Sequence, residues 1–123
     1  MHINIFIENY LPGGLERFCW DLINGLPAEF DITLLANPIA GVADRVAAAI
    51  QRPIDFQPYR VDTATRLDYE WRQANRLGGS MLLWRAFKAV TRWPLRVRGR
   101  AQLRSVLRQQ PADMLHIITG GYL

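Results

Sequence analysis

Residues 1–37, MHINIFIENYLPGGLERFCWDLINGLPAEFDITLLAN, carry the pattern that identifies the fold class. The run Ile3 to Ile7 is apolar and rich in β-branched side chains, which is typical of a buried strand. A loop containing Gly13 and Gly14 follows it, and residues 31–36 form a second apolar run of strand length. The segment between the two runs has helical spacing, so this part of the chain predicts strand, helix, strand.

The helix between these strands repeats its apolar residues at the spacing of one helical face. The residues of this face are Leu15, Phe18, Cys19, Leu22, Ile23 and Leu26. We expect Cys19 to be a buried, inert thiol on this face and Pro27 to end the helix. Trp20 lies off the face, so we expect it to contact another domain, an acceptor or a neighbouring chain. Glu16 and Arg17 open the helix, and we interpret them as first-turn and ion-pair residues rather than catalytic groups.

The rest of the chain continues the alternation of helices and strands. Further helices are predicted at residues 42–50, 67–76, 80–92 and 98–109, with strands at 54–56 and 114–118. Ser80 is a helix cap in this interpretation, and Pro94 separates the last two helices. Pro58 favours an edge position or an early end for the third strand. The alternation predicts an α/β fold, a Rossmann-like parallel sheet of about four strands flanked by helices.

Composition excludes several classes of protein. The chain has 123 residues, of which half are apolar, so it can bury the core of one domain. The single cysteine excludes a disulfide scaffold. The sequence has no cluster of Cys and His residues, so it predicts no metal site of that kind. No apolar run reaches the roughly 18 residues that span a bilayer, and the N-terminus lacks the basic region of a signal peptide. We therefore expect a cytoplasmic protein.

Charge is distributed unevenly along the chain. Residues 1–62 carry four arginines and eight acids, a net charge of −4. Residues 63–110 carry ten arginines and one lysine against two acids, a net charge of +9. No acid occurs from Trp71 to Ala112. Such a block is typical of proteins with an anionic partner.

The centre of this basic block, residues 81–97 (MLLWRAFKAVTRWPLRV), interleaves arginines with large apolar side chains. One interpretation is that Arg85, Lys88, Arg92 and Arg96 contact an anionic membrane surface, which places the protein peripherally on the inner face of a membrane. The other is an ordinary core helix with a solvated basic face. Nucleic acid is a less favoured partner because no helix-turn-helix, RNA-recognition or zinc-finger signature accompanies the arginines.

Gly13 and Gly14 lie between the first strand and the first helix. Two glycines permit a positive φ and a close approach to a ligand, and the N–H groups of a helix N-terminus favour phosphate. The alternative is a tight turn that only joins the helix to the sheet. Neither a G-x-G-x-x-G fingerprint nor a P-loop is present.

Two motifs resemble glycosyltransferase family 4. Residues 12–17 (PGGLER), the helix with Asp21 and Leu22, and residues 30–35 (FDITLL) resemble the opening of these enzymes. Residues 111–117 (PADMLHI) are similar to the Pro-Asp-val-val-His strand that follows a basic helix in the family. The resemblance covers about residues 1–37 and 98–121.

The resemblance implies a GT-B architecture, in which two Rossmann-like domains face a cleft. Residues 1–123 would be the N-terminal, acceptor-side domain, incomplete and carrying a basic helical insert at 63–110. The implied reaction is a retaining sugar transfer from a nucleotide-sugar donor to a glycan or lipid-linked acceptor, without a metal or other cofactor. Gly13 and Gly14 would approach the phosphates and sugar of the donor.

The resemblance also implies a role for the end of the last strand. Thr119 and Gly120 would line the same cleft, because ligands of open α/β sheets bind beyond the carboxyl ends of the strands. His116 occupies the first position of the His-x-His common in the family, with Ile118 at the second. A histidine among apolar residues is also typical of a core residue, and His116 is therefore the weakest candidate for catalysis.

The family continues beyond the end of this chain with a donor-binding domain. We therefore expect no sugar transfer by the isolated chain, which would be a truncated copy, a fragment, or one half of a split enzyme whose partner is a separate C-terminal half. The alternative function is a non-catalytic Rossmann-like module that binds a phosphate ligand or an anionic partner.

Overall fold

The computed structural model describes residues 1–8, 12–61, 64–75 and 79–118. The strands are β1 (His2–Ile7), β2 (Asp31–Ala36), β3 (Asp55–Pro58) and β4 (Met114–Ile118), and the helices are α1 (Gly14–Gly25), α2 (Val42–Ala49), α3 (Ala64–Ala74) and α4 (Met81–Gln109). All strand pairs are parallel, in the order β3-β2-β1-β4. The predicted α/β fold class, a Rossmann-like parallel sheet of about four strands, is confirmed.

The described residues form two compact units. The sheet unit comprises residues 1–60 and 108–118, and the helical unit comprises residues 61–107. The sheet unit therefore contains all four strands with α1 and α2. The helical unit contains α3 and nearly all of α4.

β1 is the centre of the sheet unit, because it pairs with β2 on one side and β4 on the other. Ile3, Ile5 and Ile7 point to one face and belong to the same buried cluster as residues of α1 and α2. Phe6 points to the opposite face, is also buried, and packs against Tyr59 with 4.8 Å between ring centroids. Burial on both faces explains why β1 is an almost continuous apolar run.

The predicted apolar face of α1 is confirmed except at Phe18, because Cys19 and Ile23 belong to the buried core cluster and Leu15, Leu22 and Leu26 pack against it. Glu16, Cys19, Trp20 and Ile23 are its buried residues, whereas Phe18 is 53% exposed. The expectation that Trp20 contacts something outside the domain was therefore wrong, since Trp20 belongs to the core cluster. The buried side of α1 therefore extends beyond the predicted face to include the indole of Trp20 and the carboxylate of Glu16.

β3 is an edge strand of four residues that ends at Pro58, which agrees with the prediction of an edge position or an early end. The N–H of Tyr59 donates to the carbonyl of Ala36 at 3.0 Å. Since successive N–H groups of a strand point to opposite sides, the nitrogen of Pro58 points away from β2. A proline there removes no hydrogen bond from the ladder.

α4 is one helix of 29 residues that passes through Pro94, so the predicted division into two helices was wrong. Ser80 caps it as predicted, with its hydroxyl accepting a hydrogen bond from the N–H of Leu83 at 3.4 Å. Pro94 removes the hydrogen bond to the carbonyl of Val90, one turn earlier. Val90 is strongly exposed, so solvent can hydrate that carbonyl and the helix continues.

β4 is exposed on both faces of the sheet unit. Met114 and His116 alternate with Leu115 and Ile117 along the strand, and all four are exposed. The interpretation of His116 as a core histidine was therefore wrong. The register explains the contrast with β1, since β4 occupies the outer position of the described sheet and only Ile118 reaches the buried cluster.

Candidate functional site

The candidate site lies where β1 and β4 reach the carboxyl edge of the sheet. The chain places β2 and β3 on one side of β1 and β4 on the other, so the strand order reverses between β1 and β4. Ligands of open α/β sheets bind in the crevice at such a point. The N–H of Glu8 donates to the carbonyl of Ile118 at 3.0 Å, which keeps the two strands paired up to this edge.

The glycine pair opens α1 directly after β1. Gly13 precedes the helix with an extended backbone (φ 175°), and Gly14 is its first residue. Among the described residues only Gly41 has a left-handed backbone (φ 75°), so neither glycine of the pair uses the left-handed conformation that glycine permits. Both glycines are exposed, and a Cβ added to either would meet nothing within 4 Å. These two glycines therefore leave open space in front of the backbone.

The N-terminus of α1 offers backbone hydrogen-bond donors to that space. Within the described residues no side chain caps the helix. The first backbone bond of the helix runs from the N–H of Arg17 to the carbonyl of Gly13 at 3.0 Å. The N–H groups of the first turn have no acceptor within a helix, and with the helix dipole they favour an anion.

Glu16, in the first turn of α1, forms an ion pair with Arg45. Its carboxylate is buried and accepts hydrogen bonds from Nε of Arg45 at 3.2 Å to each oxygen. This agrees with the interpretation of Glu16 as a first-turn and ion-pair residue. The pairing compensates the negative charge nearest to the glycines, so an anion can approach the helix N-terminus.

The carboxyl edge also carries polar residues that sequence reasoning missed. Glu8 and Asn37 directly follow β1 and β2, and both are buried. The hydroxyl of Tyr59, just beyond β3, donates to the carbonyl of Ile7 at 3.5 Å. A polar residue immediately after an apolar strand is the signal that marks Glu8 and Asn37, because such positions collect at one edge of a parallel sheet.

The remaining predicted site residues are not all at this edge. Thr119 and Gly120 lie outside the described residues. His116 is in register with Ile5, two residues before the end of β4, which is about 7 Å from the edge along the strand. The structure thus pairs the ends of β1 and β4 at this edge and leaves His116 on the exposed surface of β4, and the topology places the helix that Gly13 and Gly14 open next after β1 in the chain.

The basic residues predicted to contact an anion differ in their surroundings. Arg85, Arg92 and Arg96 are exposed. Lys88 is half-buried, and its Nζ lies 3.2 Å from Oδ1 of Asp68 within the helical unit. Lys88 is therefore part of the packing between α3 and α4, whereas the three arginines are on the surface. No helix within the described residues is long and apolar enough to cross a membrane.

A cavity of about 650 Å³ lies at the opposite edge of the sheet, lined among others by Asp31, Arg52 and Asp55. Its most basic group is Arg52, whose guanidinium donates to the carbonyls of Leu26, Pro27, Ala28 and Phe30. An arginine engaged by four carbonyls supports the loop that leads into β2, so this cavity is not an anion site.

Cys19 in the core of the sheet unit is expected to be unreactive. Burial raises the pKa of its thiol to about 12, and the nearby charge of Glu16 contributes to the increase. At pH 8 the reactive thiolate should be about a thousandfold scarcer than in an exposed cysteine. We expect an aromatic disulfide reagent to react with the folded chain at least a hundredfold more slowly than with the urea-unfolded chain. Complete labelling of the folded chain within minutes would contradict this assignment.

Fold and site together define a class: a parallel α/β sheet whose first helix presents an open, uncapped N-terminus at the reversal of strand order. Comparison with protein families, curated proteins and solved structures finds no match to this chain. Within the described residues, no group of three or more His, Cys, Asp or Glu side chains is arranged to hold a metal ion. Function is therefore argued from the geometry and from the motifs of the sequence.

Proposed function

We propose that the chain is the N-terminal, acceptor-side domain of a GT-B glycosyltransferase of the family 4 type. In this proposal the N–H groups at Gly13 and Gly14 bind the diphosphate of a nucleotide-sugar donor. The observation that carries it is the open space at both glycines, in front of an uncapped helix at the point where the strand order reverses. The PGGLER motif and the PADMLHI strand support the same assignment.

The chemistry of sugar transfer requires donors of this kind. When the bond between the sugar and the diphosphate breaks, negative charge increases on the leaving phosphate oxygen. Backbone N–H groups fixed in a helix N-terminus can stabilise that charge without reorganising. The ion pair between Glu16 and Arg45 removes the repulsion that an unpaired first-turn carboxylate would exert.

The proposal assigns only part of the donor site to this chain. In the GT-B architecture a second domain grips the nucleotide, so the sheet unit contributes the phosphate and sugar contacts. We therefore expect the chain alone to bind a nucleotide sugar weakly, with a dissociation constant on the order of millimolar, or about −4 kcal/mol. We expect no turnover by the chain alone.

The glycine pair provides the test. In a titration of the isotopically labelled chain with UDP-glucose and GDP-mannose, the amide resonances of residues 13–15 should shift. Gly14→Ala should weaken binding about tenfold, or about 1.4 kcal/mol, because its Cβ would occupy the space of a phosphate oxygen. The matched control is Gly25→Ala at the other end of α1, where an added Cβ also meets nothing within 4 Å. The control should bind like the unmodified chain.

Two outcomes would count against the proposal. If millimolar nucleotide sugars leave residues 13–15 unshifted, or if Gly14→Ala binds as well as the control, the glycines are only a turn. If inorganic pyrophosphate binds at residues 13–15 as tightly as both nucleotide sugars, the alternative of a non-catalytic phosphate-binding module is favoured.

A further inference from the structure

Large apolar side chains are concentrated on the solvent side of α4. Five of them are between 51% and 79% exposed: Leu82, Leu83, Val90, Trp93 and Val97. On a helix that turns 100° per residue, these five occupy a sector about 100° wide and roughly 23 Å long. We call this surface the apolar sector of α4.

The helical unit fixes the direction of the apolar sector. Trp84, on nearly the opposite side of α4, is buried and stacks on Trp71 of α3 with 5.0 Å between ring centroids. Its indole N–H donates to Oδ1 of Asp68 at 2.6 Å. Because this contact occupies the opposite side of α4, the apolar sector cannot be an ordinary core face of the α3–α4 pair. Leu83 also lines an apolar cavity of about 370 Å³ with Trp71 and Phe87.

Arginines border the apolar sector. Viewed along the helix axis, one side of the apolar sector is followed by Arg85, Arg92 and Arg96. Beyond Val97, the angular range of the sector is continued by Arg100 and Arg104. All five arginines are exposed. No acid lies between residues 71 and 112, and the nearest acid on α3, Asp68, is paired with Lys88 and Arg72. The surface is therefore apolar at its centre and basic along one side.

We propose that the apolar sector of α4 docks on an anionic lipid bilayer, parallel to its plane. The apolar side chains enter the boundary between headgroups and acyl chains, and the bordering arginines bind lipid phosphates. This proposal uses different residues from the glycine pair and does not depend on sugar chemistry. It commits to a lipid surface because nucleic acid offers no complement to a continuous apolar centre.

The test is co-sedimentation of the whole chain with vesicles. We expect binding to vesicles of phosphatidylcholine with 30% phosphatidylglycerol, little binding to phosphatidylcholine alone, and weaker binding in 1 M salt. The double variant Val90→Asp with Trp93→Asp should lower the partition coefficient at least tenfold. The matched control is Phe18→Asp, which places a carboxylate at an exposed apolar residue of α1 and should leave binding unchanged.

Single substitutions of the arginines measure their contribution to vesicle binding separately from that of the apolar side chains. Arg85→Gln, Arg92→Gln and Arg96→Gln should each weaken binding to the anionic vesicles about fivefold. Since all the substituted residues are exposed, the far-ultraviolet circular dichroism and the melting temperature should stay unchanged.

Four results would overturn the proposal. The first is no binding to the anionic vesicles at low salt. The second is equal binding by the double variant and the Phe18→Asp control. The third is vesicle-free self-association that the double variant abolishes, which would assign the sector to a second copy of the chain. The fourth is binding to single-stranded RNA that is tighter than binding to the vesicles and insensitive to the double variant.

Discussion

Replacing Arg52 with alanine should lower the free energy of unfolding by about 3–4 kcal/mol. The guanidinium donates to four carbonyl groups of residues 26–30, two of them at 2.7 Å. Each hydrogen bond contributes about 1 kcal/mol net, and more where the donor is charged. Without Arg52 the carbonyls of Leu26 and Phe30 lose a partner in a half-buried position. Urea denaturation followed by circular dichroism measures the loss.

Arg52→Lys keeps the positive charge but removes the branched guanidinium, so it separates the contributions of charge and shape to stability. One ammonium group cannot reach four carbonyls at once, so we expect this variant to recover less than half of the lost stability. Arg17→Ala is the matched control, because Arg17 is exposed and its removal should cost less than about 0.5 kcal/mol. If Arg52→Ala were as stable as this control, the carbonyl contacts would not support the sheet, and the nearby cavity would again be a candidate anion site.

The strands and the order of elements could be predicted from sequence because they depend on local patterns. The apolar runs at Ile3–Ile7 and residues 31–36 became the two central strands, and proline identified β3 as an edge. The position of Gly13 and Gly14 between a strand and a helix was also readable. Their backbone geometry could not be predicted, because Gly13 is extended and Gly14 is helical rather than left-handed. The open space beside the two glycines is visible only in the folded structure.

The errors share a physical cause, which is that polar contacts and neighbouring elements override local periodicity. Glu16 is buried in an ion pair with Arg45, and the buried side of α1 includes Trp20 but not Phe18. β4 has the composition of a buried strand, but its outer position in the described sheet leaves His116 exposed. Pro94 predicted a break, yet an exposed carbonyl one turn earlier allowed α4 to continue.

The helical unit depends on the hydrogen-bonded stack around Trp84. Replacing Trp84 with alanine should lower the free energy of unfolding by about 3–5 kcal/mol, because a buried indole is lost from between Trp71 and Phe87. Trp84→Phe retains a ring but not the N–H that donates to Asp68, and it should cost less than the alanine variant. Amide exchange in α4 and urea denaturation measure both effects, with Trp93→Phe as the exposed control.

The protonation of Asp68 makes the stability of this stack depend on pH. Burial alone would raise the pKa of Asp68, but hydrogen bonds from Trp84 and Lys88 and the charges of Lys88 and Arg72 outweigh it and hold the pKa below its usual value. The carboxylate therefore stabilises the folded chain above the unfolded pKa of about 3.9, and this contribution disappears as the pH falls through the lower, folded value. Asp68→Asn should remove that part of the acid dependence while leaving the stack in place. A variant that loses stability between pH 5 and pH 2 as steeply as the unmodified chain would show that Asp68 is not the group that links the α3–α4 packing to pH.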